Sequence, residues 1–200
     1  MRKILEGLGW LMVMLFAITG IVASLINLPP NDRYNPGFVQ YSTVSLLHFL
    51  PGILFMLIGP LQFMPGLRRK YPRWHRMAGK VFMLSTVAIL LSASWLVWKV
   101  PYGGLSEEIS TGLFVLIAGF SLWKAWTSIR QRKVAQHREW IIRVFSIGLG
   151  VGSIRMFMVL LQITVGYNFQ EAFPIAFWIG FSTCYLVGEA WIWYTSATAR

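Results

Sequence analysis

Cysteine is almost missing from this chain. Cys184 stands alone inside an apolar run, so no intramolecular disulfide can form, no redox compartment can be inferred, and the thiol reads as a small packing group. Charge is scarce too: charged residues make up 12% of the sequence, against about 25% in soluble domains. A chain so poor in charge cannot cover a surface that faces water. Acids are the scarcest charges, seven against 18 Lys and Arg. Hydrolytic and nucleophilic catalysis lack their parts, with no GxSxG, no HExxH and no Cys paired with a His at a matching depth. Glu107-Glu108 reads as acid charge at a helix start, not as a catalytic pair. With three histidines, the chain has ligands for one bis-histidine haem and not for two.

Long apolar runs, by contrast, are plentiful. Hydrophobic residues reach 56%, with 14 Phe and 10 Trp. Six stretches have the roughly 20 apolar residues that cross a hydrocarbon core: about 8–27, 43–63, 78–99, 110–129, 140–164 and 174–195. Met1-Arg2-Lys3 before the first run, with Val22-Ala23-Ser24 near its end loosely resembling a cleavage site, suggests a signal peptide, but the run has the length of a span, and a retained first helix is expected. The sequence therefore predicts an all-α, polytopic bundle of six transmembrane helices, forming a single membrane domain over 1–200. Lys and Arg gather in alternate connections: Arg2 and Lys3, then Arg68 to Arg76, then Arg130 to Arg138, and Arg200, while the other three connections hold only Arg33. The positive-inside rule then puts both termini in the cytoplasm, as expected in a bacterial inner membrane. Topology and anionic lipid headgroups account for the net charge of +11, so nucleic acid is not the expected partner and the lipid bilayer is. Trp74, Trp126, Trp140, Trp191 and Trp193 fall at the inner boundary and Trp95, Trp98 and Trp178 toward the outer one, the pattern of an interfacial belt.

Two of the basic connections are alike. Each ends in a His-Arg pair at the mouth of an apolar helix, His75-Arg76 and His137-Arg138. Superposing the histidines suggests a repeat of spans two and three in spans four and five, with Val81-Phe82 meeting Val144-Phe145 after a slip of one residue. Such a repeat would be parallel, its axis along the membrane normal. Gly148 and Gly152 form a GxxxG in span five that invites a close neighbour.

Ionisable groups within spans are costly and mark candidate sites. At 1.5 Å per residue, His48 lies about 7 Å and Arg155 about 4 Å on the outer side of their span centres, while Lys124 and Glu189 lie about 7 Å on the inner side. Lys124 and Glu189 are candidates to pair. Pro51 frees the carbonyl of Leu47 beside His48, which suggests a polar pocket shared with Arg155. The structural alternative is a His48 satisfied by backbone, by Gln62 or by a serine.

His75 and His137 carry the sharper idea. Two helices that each deliver one imidazole can clamp a b-type haem, with Arg73, Arg76, Arg138 and Arg143 available to pair its propionates. Read structurally, both are interfacial histidines solvated beside their arginines; a metal site of His75, His137 and Glu139 is a further alternative.

The patterns His75-Arg76-x-x-Gly79 and His137-x-x-Trp140-x-x-Arg143, with His48 and Gln62 upstream and Arg155 downstream, resemble a family of uncharacterised bacterial multispanning membrane proteins, a domain of unknown function. More distantly, a short helical bundle with histidines at helix mouths resembles haem membrane proteins of the cytochrome b561 and ferric-reductase type. That resemblance implies haem b and electron transport; but those proteins place four histidines on two helix pairs, and one haem at the inner face does not bridge the membrane. The expected function is a small membrane redox component with one b-type haem, exchanging electrons with quinol or a partner protein, and with a quinone near His48 and Arg155. The alternative is a transporter whose path runs past His48, Arg155 and Glu189, or an accessory subunit of a membrane complex.

Overall fold

A computed structural model describes residues 2–32, 35–100 and 103–197. Arg33, Pro101 and Arg200, and the side chains of Arg2 and Lys3, which entered the topology and loop readings, lie outside the described residues. All the regular structure described is helical: α1 (Arg2–Ile26), α2 (Gly37–Gln40), α3 (Ser42–Gln62), α4 (Pro65–Lys70), α5 (Pro72–Lys99), α6 (Gly104–Arg130), α7 (Val134–Val165) and α8 (Phe169–Ala197). Six are long and apolar enough to cross a membrane, which bears out the six expected spans. The helices overrun the apolar runs, most at their basic ends. The cause is local: Pro72 takes the first position of α5, where its missing N–H costs nothing. Arg68, Arg69 and Lys70 form the last turn of α4, so the basic segment before His75 is helical.

Two helix starts are closed by carboxylates and one helix end by a glycine. Asn168 and Glu171 cap α8 reciprocally, the Asn168 amide donating to Glu171 Oε2 at 2.9 Å and the Glu171 amide to Asn168 Oδ1 at 3.0 Å. Glu107 does similar work for α6, where its Oε2 accepts the Gly103 amide at 2.6 Å. Gly166, at φ 79°, closes α7 in the left-handed conformation that glycine adopts without strain.

The contacts divide the chain into two compact units, Met1–Val100 and Pro101–Arg200. In the first, α3 packs on α5 and α1 lies against α3. Phe55 stacks on Phe82 at 4.6 Å. Asn35 ties the connection back to the end of α5, donating from Nδ2 to the Val100 carbonyl at 3.1 Å. In the second unit α7 packs on both α6 and α8, most extensively on α8. Phe169, Phe173, Phe177 and Phe181 form a continuous aromatic row along α8, and Phe181 stacks on Phe114 of α6 at 4.9 Å.

Outside and inside are reversed relative to a water-soluble protein. Leu84, Leu91, Leu116 and Ile163 are about 70% exposed or more, whereas Ser45, Ser110, Ser153, Ala125 and Ala176 are fully buried. Small residues between helices with bulky apolar ones outside is the arrangement of helices in lipid. The chain is an integral membrane protein.

The repeat shows in part of the burial pattern. Shifted by sixty-two residues, the separation of His75 and His137, buried Ser45, Phe49, Met56, Gly59, Pro60, Phe82, Ser85 and Ser92 fall on buried Glu107, Thr111, Ala118, Ser121, Leu122, Val144, Ile147 and Ile154, whereas buried Phe55, Gln62, Ala78, Thr86 and Val97 fall on Ile117, Lys124, Trp140, Gly148 and Val159, which are not buried. Phe82 meets Val144 directly, so the slip of one residue is not needed. The third helix differs: α1 packs on the first member of its hairpin, whereas α8 packs chiefly on the second member of its own.

Close approach in the second unit centres on Gly150, between the two glycines of the GxxxG, of which Gly152 is also buried. A Cβ at Gly150 would lie 3.2 Å from the Phe181 backbone. Gly112 of α6, by contrast, has nothing within 4 Å of where its Cβ would be. Gly112→Ala is therefore expected to stabilise the protein by about 0.5–1 kcal/mol through helix propensity alone, read as a higher unfolding midpoint in detergent.

Candidate functional site

The sequence-marked polar residues separate between the two units. Glu189 of α8 is taken by Arg143 of α7, which donates from Nε to Oε1 at 2.5 Å and from Nη2 to Oε2 at 2.9 Å. This corrects the expected Lys124–Glu189 pair. The reason is geometric: the two parallel N–H groups of a guanidinium match both oxygens of a carboxylate, which an ammonium cannot do. The pair also bridges α7 and α8, the most extensively packed helices of the unit. Lys124 instead lies over two rings, 5.7 Å from the centre of Trp123 and 5.9 Å from that of Trp140. Arg143 covers Trp140 as well, at 4.3 Å, so the indole lies within reach of two cations. Arg143, expected to pair a propionate, already holds Glu189.

His137 occupies the first turn of α7 and is half-buried. Its Nδ1 lies 2.9 Å from the carbonyl oxygen of Ala125 on α6, a residue with no exposed surface. A carbonyl only accepts, so Nδ1 carries the hydrogen, and Nε2 of the neutral ring holds the lone pair. Imidazoles that bind iron or zinc are commonly oriented this way, with the second ring N–H on a backbone carbonyl. Arg138 reaches Thr195 with Nη1 at 3.4 Å, and Glu139 accepts from Ser196 at 3.3 Å. Arg130 lies beside Trp123, Trp126, Thr127 and Gln131 around an open groove.

In the first unit His75 stands in the first turn of α5, half-buried, with its backbone amide on the Tyr71 carbonyl at 3.0 Å. Arg76 follows it and is exposed, while Arg73 lines a second open groove with Lys70, Tyr71, Pro72 and Trp74. His48 bonds through Nδ1 to Ser92 Oγ at 3.0 Å. Ser92 gives its own hydrogen to the Ala88 carbonyl at 2.6 Å, which makes the imidazole the donor here too. The serine reading of His48 is therefore the one found. Arg155 belongs to the second unit, where its Nη1 donates to the Val151 carbonyl one turn back on its own helix at 2.6 Å.

Gln62 is not a partner of His48. Fourteen residues apart on α3, they are separated by about 21 Å of helix. Gln62 is 9% exposed, its Nε2 is buried without a hydrogen-bond partner, and a Cβ on Gly79 would come within 3.3 Å of its Oε1. Sequence reasoning marked Gln62 as a possible partner of His48 and as part of the family pattern; its packing on Gly79 follows from the lack of a side chain in α5 at the point where α3 crosses it. Among the described residues, neither unit gathers three His, Cys, Asp or Glu side chains into a group able to hold a metal ion. This leaves the His75, His137 and Glu139 metal alternative without a cluster inside either unit.

A family model described as a predicted membrane protein, DUF2306, matches residues 45–192. No curated protein and no solved structure matches the chain.

Proposed function

The chain belongs to the DUF2306 family of membrane proteins, and on that premise we propose that it is a small redox component of the bacterial inner membrane that binds one b-type haem near the cytoplasmic face and exchanges electrons with quinol or a partner protein. The observation that carries the proposal is the His137 ring. Its Nδ1–H is spent on the buried Ala125 carbonyl at 2.9 Å, which orients the imidazole and raises the basicity of Nε2, the nitrogen that would bind iron. His75, sixty-two residues earlier, would be the second residue to hold the haem. When bound, the haem would supply one-electron chemistry, with a potential tuned by the residues that hold it and by its surroundings.

The basic residues fit their assigned side. Arg76 and Arg138 follow the histidines in the same helical turns and are exposed, guanidiniums that would be available to pair a propionate at the membrane surface. Arg143 is withdrawn from that role by Glu189, and its covered Trp140 ring fixes the turn next to His137. By the positive-inside rule, the same basic segments support a cytoplasmic position for both termini.

The experiment is a visible spectrum of the purified protein, oxidised and dithionite-reduced, from cells supplied with haem. A b-type spectrum of about one haem per chain is expected, lost in His137→Ala and in His75→Ala and unchanged in His48→Ala. A colourless wild-type protein would falsify the reading.

A further inference from the structure

We propose that Gln62 is the hydrogen-bond donor of a quinone site at the basic end of the first unit, between α3 and α5; the choice of a quinone as ligand rests on the redox reading above. Gln62 is nine-tenths buried and its Nε2 has no hydrogen-bond partner. An amide left so in a membrane span loses water without gaining anything, and such groups persist where a ligand or ordered water supplies the acceptor.

The helix faces around it form a consistent frame. On α5, His75, Gly79 and Phe82 recur at i, i+4 and i+7 and so share one face; on α3, Phe55 and Gln62 are seven residues apart and share another. Gln62 meets Gly79, and Phe55 stacks on Phe82 at 4.6 Å with 21° between the rings. From the basic end inward the two helices thus carry an imidazole, an amide over a glycine, and a pair of phenyl rings buried against each other. Pro60 sits one turn before Phe63 at the end of α3 and leaves the Met56 carbonyl without its helical donor, a second local polar group.

The chemistry of this set selects its ligand. The amide is neutral, so it suits a neutral acceptor; an anionic headgroup would be served better by the exposed Arg76. Gln62 is the last residue of an apolar span, so a lipid-soluble ligand reaches it from the bilayer at the level of the basic end. A ring carbonyl on a lipid-soluble body meets the donor and the depth together. The equivalent of Gln62 in the repeat is Lys124, which is occupied with Trp123 and Trp140, so the site is particular to the first unit.

The test uses the full chain in lipid nanodiscs and measures binding of a short-tailed ubiquinone and a short-tailed naphthoquinone by isothermal titration calorimetry. Wild type is expected to bind about one quinone per chain, and Gln62→Leu to weaken binding about tenfold, the loss of one hydrogen bond at 1.4 kcal/mol per decade. Gly79→Ala, which crowds Oε1, is expected to weaken it as well. The unfolding midpoint of Gln62→Leu is expected to stay level or rise, since the leucine removes an unpaired amide. Equal binding by Gln62→Leu and wild type overturns the proposal and leaves the amide to ordered water; so does a wild type that binds neither quinone. The calorimetry needs no haem, so a colourless protein that still binds quinone through Gln62 ends the haem reading and keeps this one.

Discussion

Glu189→Ala is expected to destabilise the second unit by about 2–3 kcal/mol. The substitution leaves the Arg143 guanidinium, only 16% exposed at its side chain, without its carboxylate. Removing one partner of a buried pair costs about 3–5 kcal/mol, and the lower value follows because Glu189 is 33% exposed and partly screened. The sign of the paired change separates this mechanism from simple loss of packing. Replacing both residues, Arg143→Met with Glu189→Met, removes the unpaired charge and is expected to return stability to within about 1 kcal/mol of wild type. Lys124→Met, which forfeits only ring contacts, is expected to cost about 0.5–1 kcal/mol. Denaturant unfolding in detergent measures all three. If the double variant is as unstable as Glu189→Ala, the ion pair is not the source of the loss.

The second large effect concerns helix approach. A Cβ on Gly180 would lie 2.7 Å from Ile154 Cγ1, 2.9 Å from Ser153 Oγ and 3.1 Å from the Ile154 backbone nitrogen. Side chains can turn aside, but the backbone of α7 cannot, so Gly180→Leu has to push α7 and α8 apart. A cost of about 3 kcal/mol or more is expected. Cys184 gives a direct readout, since it is buried one turn further along α8 with its thiol 3.5 Å from Ser153 Oγ. Maleimide labelling of this thiol should be slow in wild type and fast in Gly180→Leu. Gly20→Ala is the contrast, because its Cβ would meet only the flexible end of Met56 at 3.2 Å; little change is expected, and a loss as large as that of Gly180→Leu would refute the backbone argument.

Some of the candidate site could be read from residue type and spacing, and some could not. The basic connections and the two His-Arg pairs were legible because charge beside an apolar run has one physical outcome, an interface. The anchoring of His137 on Ala125 was not, since a backbone carbonyl acceptor leaves no mark in composition. Arg143 lacked a visible partner because Glu189 lies forty-six residues away; depth alone favoured Lys124, and only the contact of α7 with α8 reversed the choice. The His48 pocket was half legible: Pro51 is indeed inside α3, but the serine that satisfies the imidazole comes from α5.

By itself the sequence determined the six membrane-crossing helices, because apolar length and scarcity of charge admit no other packing of the backbone in lipid, where every amide must be paired within its own helix. It also determined the two basic ends, because Lys and Arg beside an apolar run have to lie at the membrane surface. Tertiary structure alone decided which polar groups meet. Partners such as Arg143 and Glu189, His137 and the Ala125 carbonyl, or Gln62 and Gly79 sit on different helices, and whether they touch depends on helix rotation and separation. Those are set by where glycine and serine let two backbones approach, a property of pairs of helices and not of any one of them.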